Sequence, residues 1–181
     1  MRPLILLIAL VAATAAMNLR GEEPADTLKF EYKLHGQTRR FKCVFTPTEA
    51  GGLKLGWGIE RNLKWWSGSY TMTPEAVERG SAMSFLMPED GNHVTLPADM
   101  TFAMISRSAL AELRRNGRFT YDGVEYVAGP DSRESPRGHL IHAVDTLEGG
   151  QMWVLDRDDC PVVWEMRSNP LEINWTVTPL H

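Results

Sequence analysis

The stretch His139–Thr178, HLIHAVDTLEGGQMWVLDRDDCPVVWEMRSNPLEINWTVT, decides the fold. It divides into four runs, HLIHAVDTL, QMWVLD, CPVVWEMR and LEINWTVT. Glu148-Gly149-Gly150, Arg157-Asp158-Asp159 and Ser168-Asn169-Pro170 separate them. Each separator is a turn cluster, far too short for the crossover that parallel strands need. Four sequential strands with tight turns make an antiparallel meander.

The pattern repeats toward the N-terminus. LKFEYKL, from Leu28, alternates strictly, with Leu28, Phe30, Tyr32 and Leu34 on one face, as a half-buried strand requires. A turn at Gly36-Gln37 returns the chain into RRFKCVF, giving a hairpin. LKLGWGIE alternates again, with Leu53, Leu55, Trp57 and Ile59 on one side. Gly56 and Gly58 fall on the other, where they predict a bend, a bulge or a close approach by another element. NLKWWSGSYTMTP reads as a strand over 63–72 running into a helix. Thr73-Pro74-Glu75 supplies a hydroxyl cap, a proline at the first helical position and an acid in the first turn. Ser106 caps a second helix, RSALAELRRN, which Gly117 ends. TFAMI at Thr101 reads as a strand, RFTY-DG-VEYV as an Asp-Gly hairpin and PDSRESPRG as a surface loop. The expected fold class is mainly antiparallel β with one or two inserted helices (α+β), built as a curved sheet or half-barrel.

Three regions are expected in the 181 residues: a signal peptide over 1–15, a flexible tail over 16–26 and a single β-rich domain over 27–181. Arg2 precedes an apolar run from Leu4 to Val11, and Ala13-Thr14-Ala15 is an A-x-A site that places cleavage after Ala15. That run is shorter than the ~20 residues a membrane helix needs. The mature chain is therefore expected to be exported, periplasmic or extracellular, without a transmembrane segment. Hydrophobic content of 43% and charged content of 23% are those of a globular chain. The net charge of -4 and scattered basic residues argue against a nucleic-acid partner.

Export gives the two cysteines two alternatives. Cys43 and Cys160 either form a disulfide, worth about 4–5 kcal/mol in the chain-entropy model, or stay two separate buried thiols. No pair of cysteines or histidines is spaced for zinc, and no cofactor is implied. On a strand, His139 and Asp145 face one side and His142 the other, which excludes a shared metal. Ser67 and Ser69 share a strand face, with no general base near them in sequence. Asp156, Asp158 and Asp159 lack EF-hand spacing and fit a turn. Arg39 and Arg40 point to opposite faces, and one of them can meet a carboxylate. No catalytic constellation emerges, so the sequence leans away from an enzyme.

The aromatic content is informative. Of the six tryptophans, Trp153, Trp164 and Trp175 fit one-sided cores. Trp65 and Trp66 do not, because strand neighbours point to opposite faces. Parity places Trp66 with Gly68, Tyr70 and Met72 on an apolar face, and Trp65 with Ser67, Ser69 and Thr71 on a hydroxyl-lined one. Trp65 then needs a covering element, a partner or a ligand.

The segment GGQMWVLDRDDCPVVWEM, a strand ending in acids, a turn, a proline and a return strand, resembles the end of exported bacterial proteins with a lipoprotein-carrier (Lol-type) half-barrel. The chain as a whole looks like an uncharacterised exported bacterial family. The resemblance covers the last third and implies a curved antiparallel sheet that wraps helices and encloses an apolar cavity. It carries no functional motif, and no lipid-anchor cysteine follows the apolar run. The expected function is a non-enzymatic exported binding protein for an apolar small molecule or lipid, or for a protein segment. Trp57, Trp65, Trp66, Met72, Met83 and Met104 are the candidate contacts. The alternatives are a structural or interaction subunit of an exported complex and a hydrolase assembled from dispersed acids and histidines.

Overall fold

The computed structural model describes residues 26–180. The expected signal peptide and all of the expected tail except Asp26 lie outside the described residues. Strands β1 (Leu28–Leu34), β2 (Gln37–Pro47), β3 (Leu53–Arg61) and β4 (Lys64–Met72) form an N-terminal meander. Helix α1 (Pro74–Arg79), β5 (Ala82–Met83), β6 (His93–Thr95), β7 (Met100–Thr101) and helix α2 (Arg107–Asn116) follow. The chain closes with β8 (Arg118–Tyr121), β9 (Val124–Ala128), β10 (Arg133–Ser135), β11 (Gly138–Asp145), β12 (Gln151–Leu155), β13 (Val163–Arg167) and β14 (Ile173–Pro179).

One curved, unclosed sheet contains all these strands except β5 and β7, in the order β6-β4-β3-β2-β1-β14-β13-β12-β11-β9-β8, with β10 on β11. The expected meander is β11–β14. Its last strand pairs antiparallel with β1 over Leu28↔Pro179 to Leu34↔Ile173, which joins the two meanders into one surface. The sheet is otherwise antiparallel, but β6 lies parallel on β4, and β5 and β7 form a small parallel pair.

Both helices form where capping chemistry places them. The Thr73 hydroxyl accepts from Ala76 N at the start of α1, and the buried Ser106 hydroxyl accepts from Ala109 N at the start of α2. Gly117 ends α2 in the left-handed conformation. Ala109, Leu110 and Leu113 are the buried face of α2. Asp122 and Gly123, both at positive φ, turn β8 into β9 as the Asp-Gly signal predicts.

Two sequence expectations are corrected. TFAMI is not a five-residue strand, because of its residues only Thr101 belongs to one, as the end of β7. Ala103 has a φ of 55°, which breaks the extended run, and Met104 forms an isolated bridge to Val162. The loop over 130–138 contains β10, which forms a hairpin with β11 through a turn at Ser135–Gly138.

The cysteine alternatives also resolve. Cys43 and Cys160 are free thiols, so the disulfide is not formed. Cys43 lies on β2, while Cys160 precedes β13, with β1 and β14 between those strands. Three steps of ~4.8 Å between strands exceed the Cα separation of about 7 Å that a bridge tolerates.

Candidate functional site

The inner face of the N-terminal meander is a floor of aromatic rings. Cross-strand register puts Trp175 on β14 opposite Tyr32 on β1, and Cys43 on β2 opposite Trp57 on β3. Ring contacts then run across five strands. Trp175 meets Tyr32 at 5.3 Å, Tyr32 meets Phe41 edge-on at 5.6 Å, and Phe41 meets Trp57 edge-on at 6.1 Å. Trp57 stacks on Tyr70 at 6.4 Å, and Tyr70 on Phe102 at 4.3 Å. Such pairs each add about 0.5–1.5 kcal/mol beyond burial.

The floor is not filled from above by a helix. The strand-free segment 84–88 crosses it and leaves a trough lined by Tyr32, Phe41, Trp57, Tyr70, Phe102 and Trp175, among others. Empty space, counted out to the open mouth, is about 610 Å³; the part that admits the centre of a water molecule is about 50 Å³. The smaller is a third of the ~150 Å³ of a cavity that holds benzene. An occupant larger than one or two water molecules therefore requires segment 84–88 to lift. That segment is lightly tied. Tyr70 Oη donates to Leu86 O at 3.2 Å, Ser84 N donates to Thr101 O at 2.8 Å, and Leu86 and Met87 are half exposed.

Arg39 is the charged residue of the lining, which contains no histidine and no carboxylate. The interior opposes charge. Burial pushes the Cys43 thiol well above its ordinary pKa, and burial, reinforced by Glu89, pushes the Tyr70 phenol up to about 12.

The candidate residues divide by location. Trp57 and Met83 line the trough. Met72 and Met104 are fully buried in the core, and the Met72 sulfur accepts from Phe102 N. Trp66 lies on the inner face opposite Ile59, half-buried under the Arg61 guanidinium at 4.6 Å, outside the trough. Trp65 lies on the outer face, 42% exposed. Its indole covers Gly58, where any Cβ would overlap it, and Lys42 stands 5.7 Å from the ring. Gly58 thus marks a close approach, as expected, and Trp65 is partly covered by its own sheet.

Tyr32, Phe41, Phe102 and Trp175 were not among the sequence candidates. Tyr32 and Trp175 each showed the correct strand face; that β1 and β14 are neighbours is not encoded locally.

Among the described residues, the fully buried side-chain polar atoms outside the trough have partners. Ser69 does meet a histidine, because β6 brings His93 Nδ1 within 2.9 Å of its hydroxyl, but on the outer face. His142 is buried and stacked on Trp153 at 4.4 Å; its Nδ1 accepts from Asp131 N. The buried Glu165 carboxylate accepts from Arg133 and Arg167, which both cover the Trp153 ring. Arg40 pairs with Glu31 across β1 and β2 at 2.8 Å. Asp156 and Asp158 both receive Arg114, and Asp159 receives Arg157, so the acidic loop is an ion-paired turn. No group of three metal-ligating side chains occurs among the described residues.

No family model, curated protein or solved structure matches the chain.

Proposed function

We propose that this chain is an exported, non-enzymatic binding protein that holds one apolar or lipid-like molecule between the aromatic floor and segment 84–88. The observation that carries the reading is the unfilled trough itself. Aromatic rings from five adjacent strands converge on space that no side chain occupies. Packing that leaves such a void forfeits dispersion contacts, which an apolar guest restores. Export is supported by the leader pattern over 1–15. It is also compatible with unpaired cysteines, since burial raises both thiols above their usual pKa and so disfavours the reactive thiolate.

Native mass spectrometry of protein purified from its exporting host, followed by solvent extraction, tests the proposal. A retained apolar molecule, or saturable binding of a neutral naphthylamine probe, is expected. A clean apo mass together with no probe response would exclude it.

A further inference from the structure

Among the buried indoles of this protein, Trp57 is exceptional. Trp153 Nε1 donates to Asp131 O at 2.9 Å, and Trp175 Nε1 donates to Val163 O at 2.8 Å. Trp57 Nε1 is buried with no acceptor, the one such side-chain atom among the described residues. Trp57 is 5% exposed and part of the trough wall. A buried donor without a partner is costly enough that proteins rarely leave one, and an otherwise satisfied structure with one exception points to a missing acceptor.

The second observation is Arg39. It faces the trough from β2, four residues before Cys43, and Cys43 is opposite Trp57. At ~3.3 Å per residue the two levels are about 13 Å apart along the strand. Arg39 is partly exposed, donates to Gln37 Oε1 at 3.3 Å, and forms no ion pair with any described residue. The neighbouring Arg40, on the outer face, does have a carboxylate in Glu31. Arg39 thus has no ion-pair partner at the mouth among the described residues, while burial in the interior disfavours anions and raises the Cys43 thiol and the Tyr70 phenol.

Resting on the apolar-ligand reading above, we infer that the ligand is an apolar acid with a second oxygen in its body: its carboxylate meets Arg39 at the mouth, and the inner oxygen accepts from Trp57 Nε1. An anionic head placed at the rim keeps its hydration while gaining a charge-assisted hydrogen bond. A neutral carbonyl or ether oxygen is the acceptor that an apolar interior tolerates beside an indole N–H.

Displacement of the naphthylamine probe by decanoate, decanol, decylamine and a series of oxodecanoates at neutral pH tests this, with R39Q and W57F alongside. Decanoate should bind about tenfold to a hundredfold more tightly than decanol or decylamine, and in R39Q the ratio of acid to alcohol affinity should fall to about one. One oxodecanoate should bind about two- to tenfold more tightly than decanoate, and in W57F the ratio of the two affinities should fall to about one. Equal binding of acid and alcohol, or a preference that survives R39Q, would overturn the head-group assignment. No gain from any oxo position, or a gain that survives W57F, would overturn the Trp57 assignment. In both cases the probe still binds, so the apolar reading stands. If the probe does not bind at all, that reading fails and takes this inference with it.

Discussion

Gly58 and Gly68 each face a tryptophan across a strand pair, yet the two positions respond to crowding in different ways. The three atoms nearest a Cβ on Gly58 all belong to the Trp65 ring, the end of a half-exposed side chain that can swing away. A Cβ on Gly68 meets Trp57 Cζ2 at 2.6 Å and overlaps the Asn92 carbonyl, which is backbone. Gly68→Ala should therefore cost about 1–3 kcal/mol in denaturant unfolding, and Gly58→Ala less than about 1 kcal/mol. Equal costs would show that Trp65 is held as firmly as Trp57. Asp145 has a different task. It accepts four backbone N–H groups, from Leu147, Glu148, Gly149 and Gly150, at 2.6–3.0 Å. Burial alone would raise its pKa, but these four donors outweigh it and hold the carboxyl below the usual range. A depressed folded pKa stabilises above the unfolded value of ~3.9, and that contribution is lost as pH falls through the lower folded value. Asp145→Ala should cost about 1–3 kcal/mol at neutral pH and flatten the acid limb of the stability curve below about pH 4. The sequence marked this stretch as a turn, but the carboxylate that organises it showed no local signature.

At the scale of elements, α2 is fixed at its start and along its exposed side. The Ser106 cap is fully buried, so Ser106→Ala should cost about 1 kcal/mol. Arg114 Nε reaches Asp156 at 2.5 Å and Arg114 also pairs with Asp158, while Arg107 Nε donates to Asp158 O at 2.8 Å. Two arginines of one helix thus hold the β12–β13 loop. These pairs are substantially solvated, so Arg114→Ala should cost about 0.2–1 kcal/mol, and less in high salt. A salt-independent loss would mean that packing of the arginine stem, rather than its charge, holds the loop. Helix starts, the Asp-Gly hairpin and the meander strands were legible because each is encoded by residues adjacent in sequence. TFAMI was not: its β propensity is overridden at Ala103, where the chain turns at positive φ to reach Val162. The parallel strand β6 escaped notice because a three-residue strand next to a turn leaves no periodicity to find.

At the scale of the whole molecule, the pairing of β1 with β14 makes one inner face out of two meanders, and the trough exists because of it. Strand parity revealed which residues share a face, but not which strands are neighbours, so only Trp57 and Met83 of the sequence candidates belong to the trough wall. The same topology separates the cysteines. Intact protein denatured without reductant should take up two alkyl groups, and the unreduced and reduced forms should melt at the same temperature. One molecule of protein with no titratable thiol would contradict the strand order. The most direct test of the trough is indole NMR of isotope-labelled protein during titration with decanoate. Trp57 and Trp175 line the site, whereas Trp65 lies on the opposite face of the sheet and serves as an internal control. The Trp57 and Trp175 Nε1–H resonances should move saturably while Trp65 stays still. Unmoved Trp57 and Trp175 resonances at saturating ligand, or a shift confined to Trp65, would contradict a ligand cavity on the inner face.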